Sequence, residues 1–331
     1  MEQPWSEEQA RWIVKRAATL SQLGAEPVGP LVLPDARFFP DRFDRSPESV
    51  GKLFDRLRAH VGLDEVEADV VIVDPEEGRV VSSCSSGGCG SGVKTMSGER
   101  VQETRGGYAV AVLTTEVGHP TVLTSALSRA VGQIFLRETE GLARFAKPER
   151  GPAADLAASM LGLAPLIANG SAIEVKGCGG VKIHSTTAFG AAEAALALAL
   201  VVERQALRKT GELTPGFERG LDPVIRGLYP LAKAFMEENR DVIRRVDDAP
   251  GPVERGDFSL RAAGSSFSAK LRKLFGGGKR ADEDPLEALE REASIAAATG
   301  GPRRLPGAKS AKGAANLDEI RALVDESFDS R

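Results

Sequence analysis

Residues Thr121 to Glu138 read TVLTSALSRAVGQIFLRE. The apolar residues Val122, Leu123, Ala126, Leu127, Ala130, Val131 and Ile134 recur at three and four, which gathers them on one helical face. The opposite stripe, Ser125, Arg129, Gln133 and Arg137, is polar, so the segment predicts an amphipathic core helix.

Working outward, YAVAVLTT (Tyr108 to Thr115) reads as a strand, and His119-Pro120 leads from it into the helix. Further upstream, ADVVIVD (Ala68 to Asp74) is a β-branched run of strand length, and PEEG predicts a turn and a hairpin with Arg79 to Ser82. Two helices precede it. Ser6 and Gln9 form a capping-box pair ahead of Ala10, Ile13, Val14, Ala17 and Leu20, and Ser46-Pro47 opens a helix carrying Val50, Leu53, Phe54, Leu57 and Val61. Downstream, PAADLAASMLGLAPLIANG predicts a small-residue helix from Pro152 to about Asn169, with Pro165 as the expected kink. After the GCGG turn come long helices over Ala188 to Lys209 and Asp222 to Asp247, the latter opened by Asp222-Pro223. The expected fold class is α+β: a helix-rich core with a small β-sheet.

At Ala249 the composition changes. Residues 250–331 alternate Gly/Ser/Pro-rich spacers with short amphipathic pieces, which predicts a globular domain over 1–249 and a largely disordered tail over 250–331. In that tail, FSAKLRKLF (267–275) sets Phe267, Leu271, Leu274 and Phe275 against Lys270, Arg272 and Lys273. Near its end, Leu317, Ile320, Leu323, Val324 and Phe328 form an apolar stripe on the acidic segment 316–328. A helix this short is marginal alone and gains stability by laying its stripe on a partner. The basic piece also has the pattern of a contact to an anionic membrane surface or an acidic protein.

The chain has 331 residues, 42% hydrophobic and 27% charged, with net charge -4. That is a soluble composition and gives no general attraction to nucleic acid. The run Ala191 to Val202 is shorter than the roughly 20 residues that cross a bilayer. MEQPWSEEQARW lacks the basic and apolar regions of a secretion signal, which predicts a cytoplasmic protein. Three cysteines are too few and too odd for a disulfide framework.

ADLAASMLGLAPLIAN resembles the second helix of a bacterial zincin-like metallopeptidase-type family, written ExxTDLLxxxxGxGxxxAN, whose preceding helix is xxxHExGHxxL. Asp155-Leu156, Gly162-Leu163 and Ala168-Asn169 keep the family spacing. Laid over Thr121 to Glu138, the resemblance puts Arg129 at the first histidine, Ala130 at the general base, Gly132 at the glycine and Gln133 at the second histidine. Gly151 falls at the third ligand, a glutamate in the family. A zincin needs two imidazoles at i and i+4, a third ligand and a base for the bound water. Arginine has no acceptor and alanine takes no proton, so the resemblance implies a pseudoenzyme with no bound metal. The plainer alternative is an amphipathic helix without such ancestry, and it predicts the same absence of zinc chemistry.

Cys84, Cys89, Cys178 and His184 make a legal zinc set by ligand type, and Cys84 with Cys89 a thiol redox pair. GGCGSGVK (87–94) departs from a phosphate loop because Val93 separates the last glycine from Lys94. His60, His119 and His184 have no adjacent nucleophile and read as structural or solvated. The expected function is therefore a non-catalytic interaction or regulatory scaffold, with a small GTPase or response regulator as the kind of bacterial signalling partner it would take. The alternative is a metal-binding or thiol-redox protein built on the cysteines.

Overall fold

The computed structural model describes residues 3–74, 96, 98–177, 180–208 and 216–261. The chain divides into two units after Leu271, and every described residue belongs to the first.

Local signals set the outer helices. In α1 (Glu7–Gln22), Ser6 Oγ accepts the Gln9 N–H and Gln9 Oε1 accepts the Ser6 N–H, so the capping box forms. In α2 (Pro47–His60), Ser46 Oγ accepts the Ser49 N–H and Pro47 fills the first turn. A three-stranded sheet packs against α2. Its middle strand β3 (Tyr108–Leu113) runs parallel to β1 (Ala68–Val73) and antiparallel to β2 (Val101–Glu103). Val110 and Val112 on β3 are fully buried, as period-2 alternation requires. The hairpin expected between β1 and residues 79–82 falls outside the described residues; the described partner of β1 is β3.

A short α3 (Thr114–Val117) turns the chain into α4 (Pro120–Glu138), the central helix. Against it pack α5 (Arg150–Ala158) and α6 (Ala164–Gly170), joined by a π turn over Ser159–Leu163. Gly162 sits there at φ 109°, and its carbonyl accepts the Val32 N–H at 3.0 Å. The kink expected at Pro165 is thus at Gly162, because only glycine takes that φ without strain, while Pro165 lies comfortably in the first turn of α6. Lys147–Gly170 has the length and apolarity of a membrane span, yet 89% of its apolar window is buried inside the fold. It is a core element.

A β-hairpin follows, β4 (Ile173–Gly177) against β5 (Gly180–His184), with Gly177 opposite Gly180. Next come α7 (Ala191–Arg208), α8 (Pro223–Glu238), α9 (Arg240–Asp248) and α10 (Pro250–Arg255). The single long helix expected over 222–247 is two helices. Asn239 breaks it at φ -109°, ψ 22°, and its amide donates to the Phe235 and Arg261 carbonyls while its oxygen accepts the Arg261 N–H.

Those bonds also move the domain boundary. The core does not stop at Ala249: Val253 of α10 is fully buried, and Glu254 accepts from Thr19, Gln22 and Arg144. Arg11 sits 4.7 Å over the Phe258 ring and donates to its carbonyl. The Gly and Pro that looked like a linker are helix punctuation: Pro250 stands in the first turn of α10 and Gly256, at φ 87°, ends it. The α+β core therefore reaches at least Arg261.

Candidate functional site

Every residue of α4 from Ser125 to Leu136 is buried. Of the polar stripe read from sequence, Arg129 and Gln133 face neither solvent nor an open groove, being 5% and 6% exposed. Two segments cover it, residues 186–189 over Arg129 and residues 98–100 over Gln133.

Arg129 meets α5. Its Nε lies 3.4 Å from Asp155 Oδ1, and its Nη1 donates to the Thr186 carbonyl at 3.3 Å. A Cβ on Gly151 would stand 3.1 Å from Arg129 Nη2 and 3.3 Å from Ala188 Cβ. Positions 129 and 151 are therefore neighbours, and the guanidinium fills the space beside the glycine. Asp155 Oδ2 in turn accepts the N–H groups of Ala188 and Phe189, tying segment 186–189 down over the pair. Complete burial pushes the Asp155 carboxyl up to about 6, against the opposing pull of Arg129 and the two N–H donors. The closeness of α4 and α5 depends on Gly132, where a Cβ would fall 2.0 Å from the Ala154 carbonyl oxygen.

Gln133 lies one turn further along α4. Its Oε1 accepts the Arg100 N–H at 3.1 Å and its Nε2 donates to the Gly98 carbonyl at 3.4 Å. Arg100 forms a two-pronged pair with Glu116 at 2.9 and 3.0 Å, both side chains fully buried. Glu116 also accepts the Leu113 and Met96 N–H groups, so the carboxylate locks the end of β3 to the start of α3. Sequence reasoning missed Arg100 and Glu116. The only signal for them was a pair of opposite charges, one before β2 and one after β3, whose strands the sheet brings together.

The site is a closed polar seam inside an apolar helix packing. Ala130, at the position of the expected base, is fully buried and has no acceptor. The groups present can hold backbone segments and balance charge; Arg129 and Gln133 are both spent on such bonds. Among the described residues no group of three His, Cys, Asp or Glu side chains converges to hold a metal ion. Cys84, Cys89 and Cys178 lie outside the described residues, and of the fourth candidate the structure describes the backbone, with His184 opposite Ile173 at the end of β5. The partner-binding candidates Leu271, Leu274, Phe275, Leu317, Ile320, Leu323, Val324 and Phe328 also fall outside them. His60 is structural: its Nε2 lies 3.1 Å from the Phe38 carbonyl and its ring packs edge-on against Phe38 and Phe39.

Comparison with known proteins finds no matching family model, no matching curated protein and no matching solved structure.

Proposed function

We propose that this protein is a non-catalytic interaction scaffold on a zincin-like frame, a pseudoenzyme acting in the cytoplasm. One observation carries the reading: Arg129 and Gly151, the positions that the resemblance gives to the first and third metal ligands, are neighbours in space, and a guanidinium lies against the glycine. Gln133, at the second ligand position, follows one turn along the same helix. That order along the seam supports reading it as a zincin site with its ligands exchanged. A guanidinium is a permanent cation with no lone pair to give a metal. Beside Asp155 it supplies fixed positive charge where the family has a dication, so the carboxylate keeps a counter-charge and the helices keep their packing.

Recognition in this reading belongs to the sequence after Arg261. The amphipathic stretches 267–275 and 316–328 carry apolar stripes flanked by opposite charges, basic in the first and acidic in the second. Such segments engage protein grooves through residues at three and four spacing. A bacterial signalling protein, a small GTPase or response regulator, is the class of partner.

Affinity capture tests this with the full chain beside a version ending at Arg261, together with a casein-cleavage assay with and without zinc. The reading expects a partner held by the full chain and lost from the shorter one, with no cleavage in either. Zinc-stimulated cleavage that disappears in Gln133→Ala would overturn it.

A further inference from the structure

At the N-terminal end of α4, away from the seam, the surface opens into a cleft of about 600 Å³. None of Arg129, Gln133, Gly151 and Asp155 lines it. Its apolar lining comes from five parts of the chain: Phe39 and Phe43 from the segment before α2, Leu53 from α2, Leu123 from α4, Leu166 from α6 and Leu221 from the turn before α8. The volume lies within the roughly 300–1,000 Å³ range of small-molecule sites, and apolar atoms make most of the wall's surface, with charged side chains (Asp35, Asp41, Arg42, Lys52, Arg56 and Asp222) also in the lining.

The charges at its margin decide what it would take. Asp41 pairs with Arg56 at 2.7 Å, Lys52 with Glu48 at 2.6 Å and Asp35 with Arg37 at 2.6 Å. Asp222 is engaged as the cap of α8, accepting the Val224 N–H at 3.0 Å. Asn169 spends its amide on the Gly220 carbonyl and the Asp222 N–H. Among the described residues, Arg42 is the charged group of the lining that has no ion-pair or hydrogen-bond partner. The first turn of α4, which has no acidic residue and no side-chain cap, forms another edge through Pro120 and Thr121. Both features favour negative charge beside Arg42, whereas Asp222, a carboxylate with no ion-pair partner among the described residues, disfavours it at its own edge.

The geometry points to a binding site for a small amphipathic carboxylate: an unbranched acyl chain laid over Phe39, Phe43, Leu53 and Leu221, with its carboxylate on Arg42. Chain length and head charge then set affinity separately. Removing two methylenes weakens binding by roughly tenfold, since each contributes about the same burial. Reversing the charge at position 42 removes the head contact and leaves the apolar wall intact.

The test is titration calorimetry of the full-length protein with laurate, decanoate and dodecyltrimethylammonium, repeated on Arg42→Glu. Arg42 is exposed and unpaired, so the variant folds as the parent does, and its circular dichroism checks this. The expected result is one saturable laurate site, about tenfold weaker for decanoate, at least tenfold weaker in Arg42→Glu, and no binding of the cationic detergent. Absence of saturable laurate binding, equal laurate affinity in Arg42→Glu, or comparable binding of dodecyltrimethylammonium would each overturn it.

Discussion

Arg129 on α4 and Asp155 on α5 stand 3.4 Å apart with side chains 6% and 0% exposed. An ion pair that deep does not by itself add much stability, because both charges have left water. Its role here is positional: Asp155 holds the N–H groups of Ala188 and Phe189, and Arg129 holds the Thr186 carbonyl, so the pair clamps segment 186–189 onto the two helices.

Breaking the pair from one side should be costly. Asp155→Ala leaves the guanidinium buried without its counter-charge and two N–H groups without an acceptor, and should lose about 3–5 kcal/mol in urea unfolding. Arg129→Met with Asp155→Leu removes both charges together and should recover part of that loss. The recovery stays incomplete because the Ala188 and Phe189 N–H groups still lack a partner.

The pH dependence of stability carries the signature of Asp155. Its folded value of about 6 lies above its ordinary value of 3.8, so the folded chain holds this proton more tightly than the unfolded chain. The contribution of Asp155 is therefore greatest below pH 4, falls as pH rises to about 6 and is level above that, a change of about 3 kcal/mol. Glu149 and Glu254, held below the usual range, act in the opposite sense. The measurement is thus a difference, wild type minus Asp155→Asn, across pH 4 to 7, and this difference should decline with pH. A flat difference would show that Asp155 titrates normally.

Gly132→Ala should separate α4 from α5. The added methyl would lie 2.0 Å from the Ala154 carbonyl oxygen, and helix backbone cannot yield locally. Overpacking of this kind costs typically 1–3 kcal/mol, and this contact falls at the upper end or beyond. A thermal shift of several degrees downward is the expected readout.

Truncation locates the domain boundary. A chain ending at Ala249 loses the buried Val253, the Glu254 bonds to Thr19, Gln22 and Arg144, the Arg11–Phe258 contact and the Asn239–Arg261 bonds. It should be less stable than a chain ending at Arg261 by at least about 2 kcal/mol, roughly the worth of one buried aliphatic side chain alone. Equal urea midpoints would place the boundary back at Ala249.

Much of this architecture was written in local sequence. The caps at Ser6, Ser46 and Asp222 name three helix starts, and alternation in Tyr108–Leu113 names a strand, because these signals act between residues a few positions apart. The candidate site was harder to read. Arg129 and Gln133 look solvent-facing on a helical wheel because their partners, Asp155, Thr186, Gly98 and Arg100, lie 26 or more positions away. The break at Asn239 escaped for the same reason, its amide being engaged by Arg261, and the packed Pro250–Arg261 segment was hidden by a composition that resembles a linker. The cleft, assembled from five parts of the chain, has no sequence signature.

Zinc titration of Arg129→His/Gln133→His/Gly151→Glu tests the proposal that the Arg129 seam is a zincin frame with its ligands exchanged. Removing the guanidinium clears the space that a side chain at 151 needs, so the variant, shown folded by circular dichroism, should take up one equivalent of zinc that the wild-type chain does not bind. A folded variant that takes up no more zinc than the wild type would contradict the account.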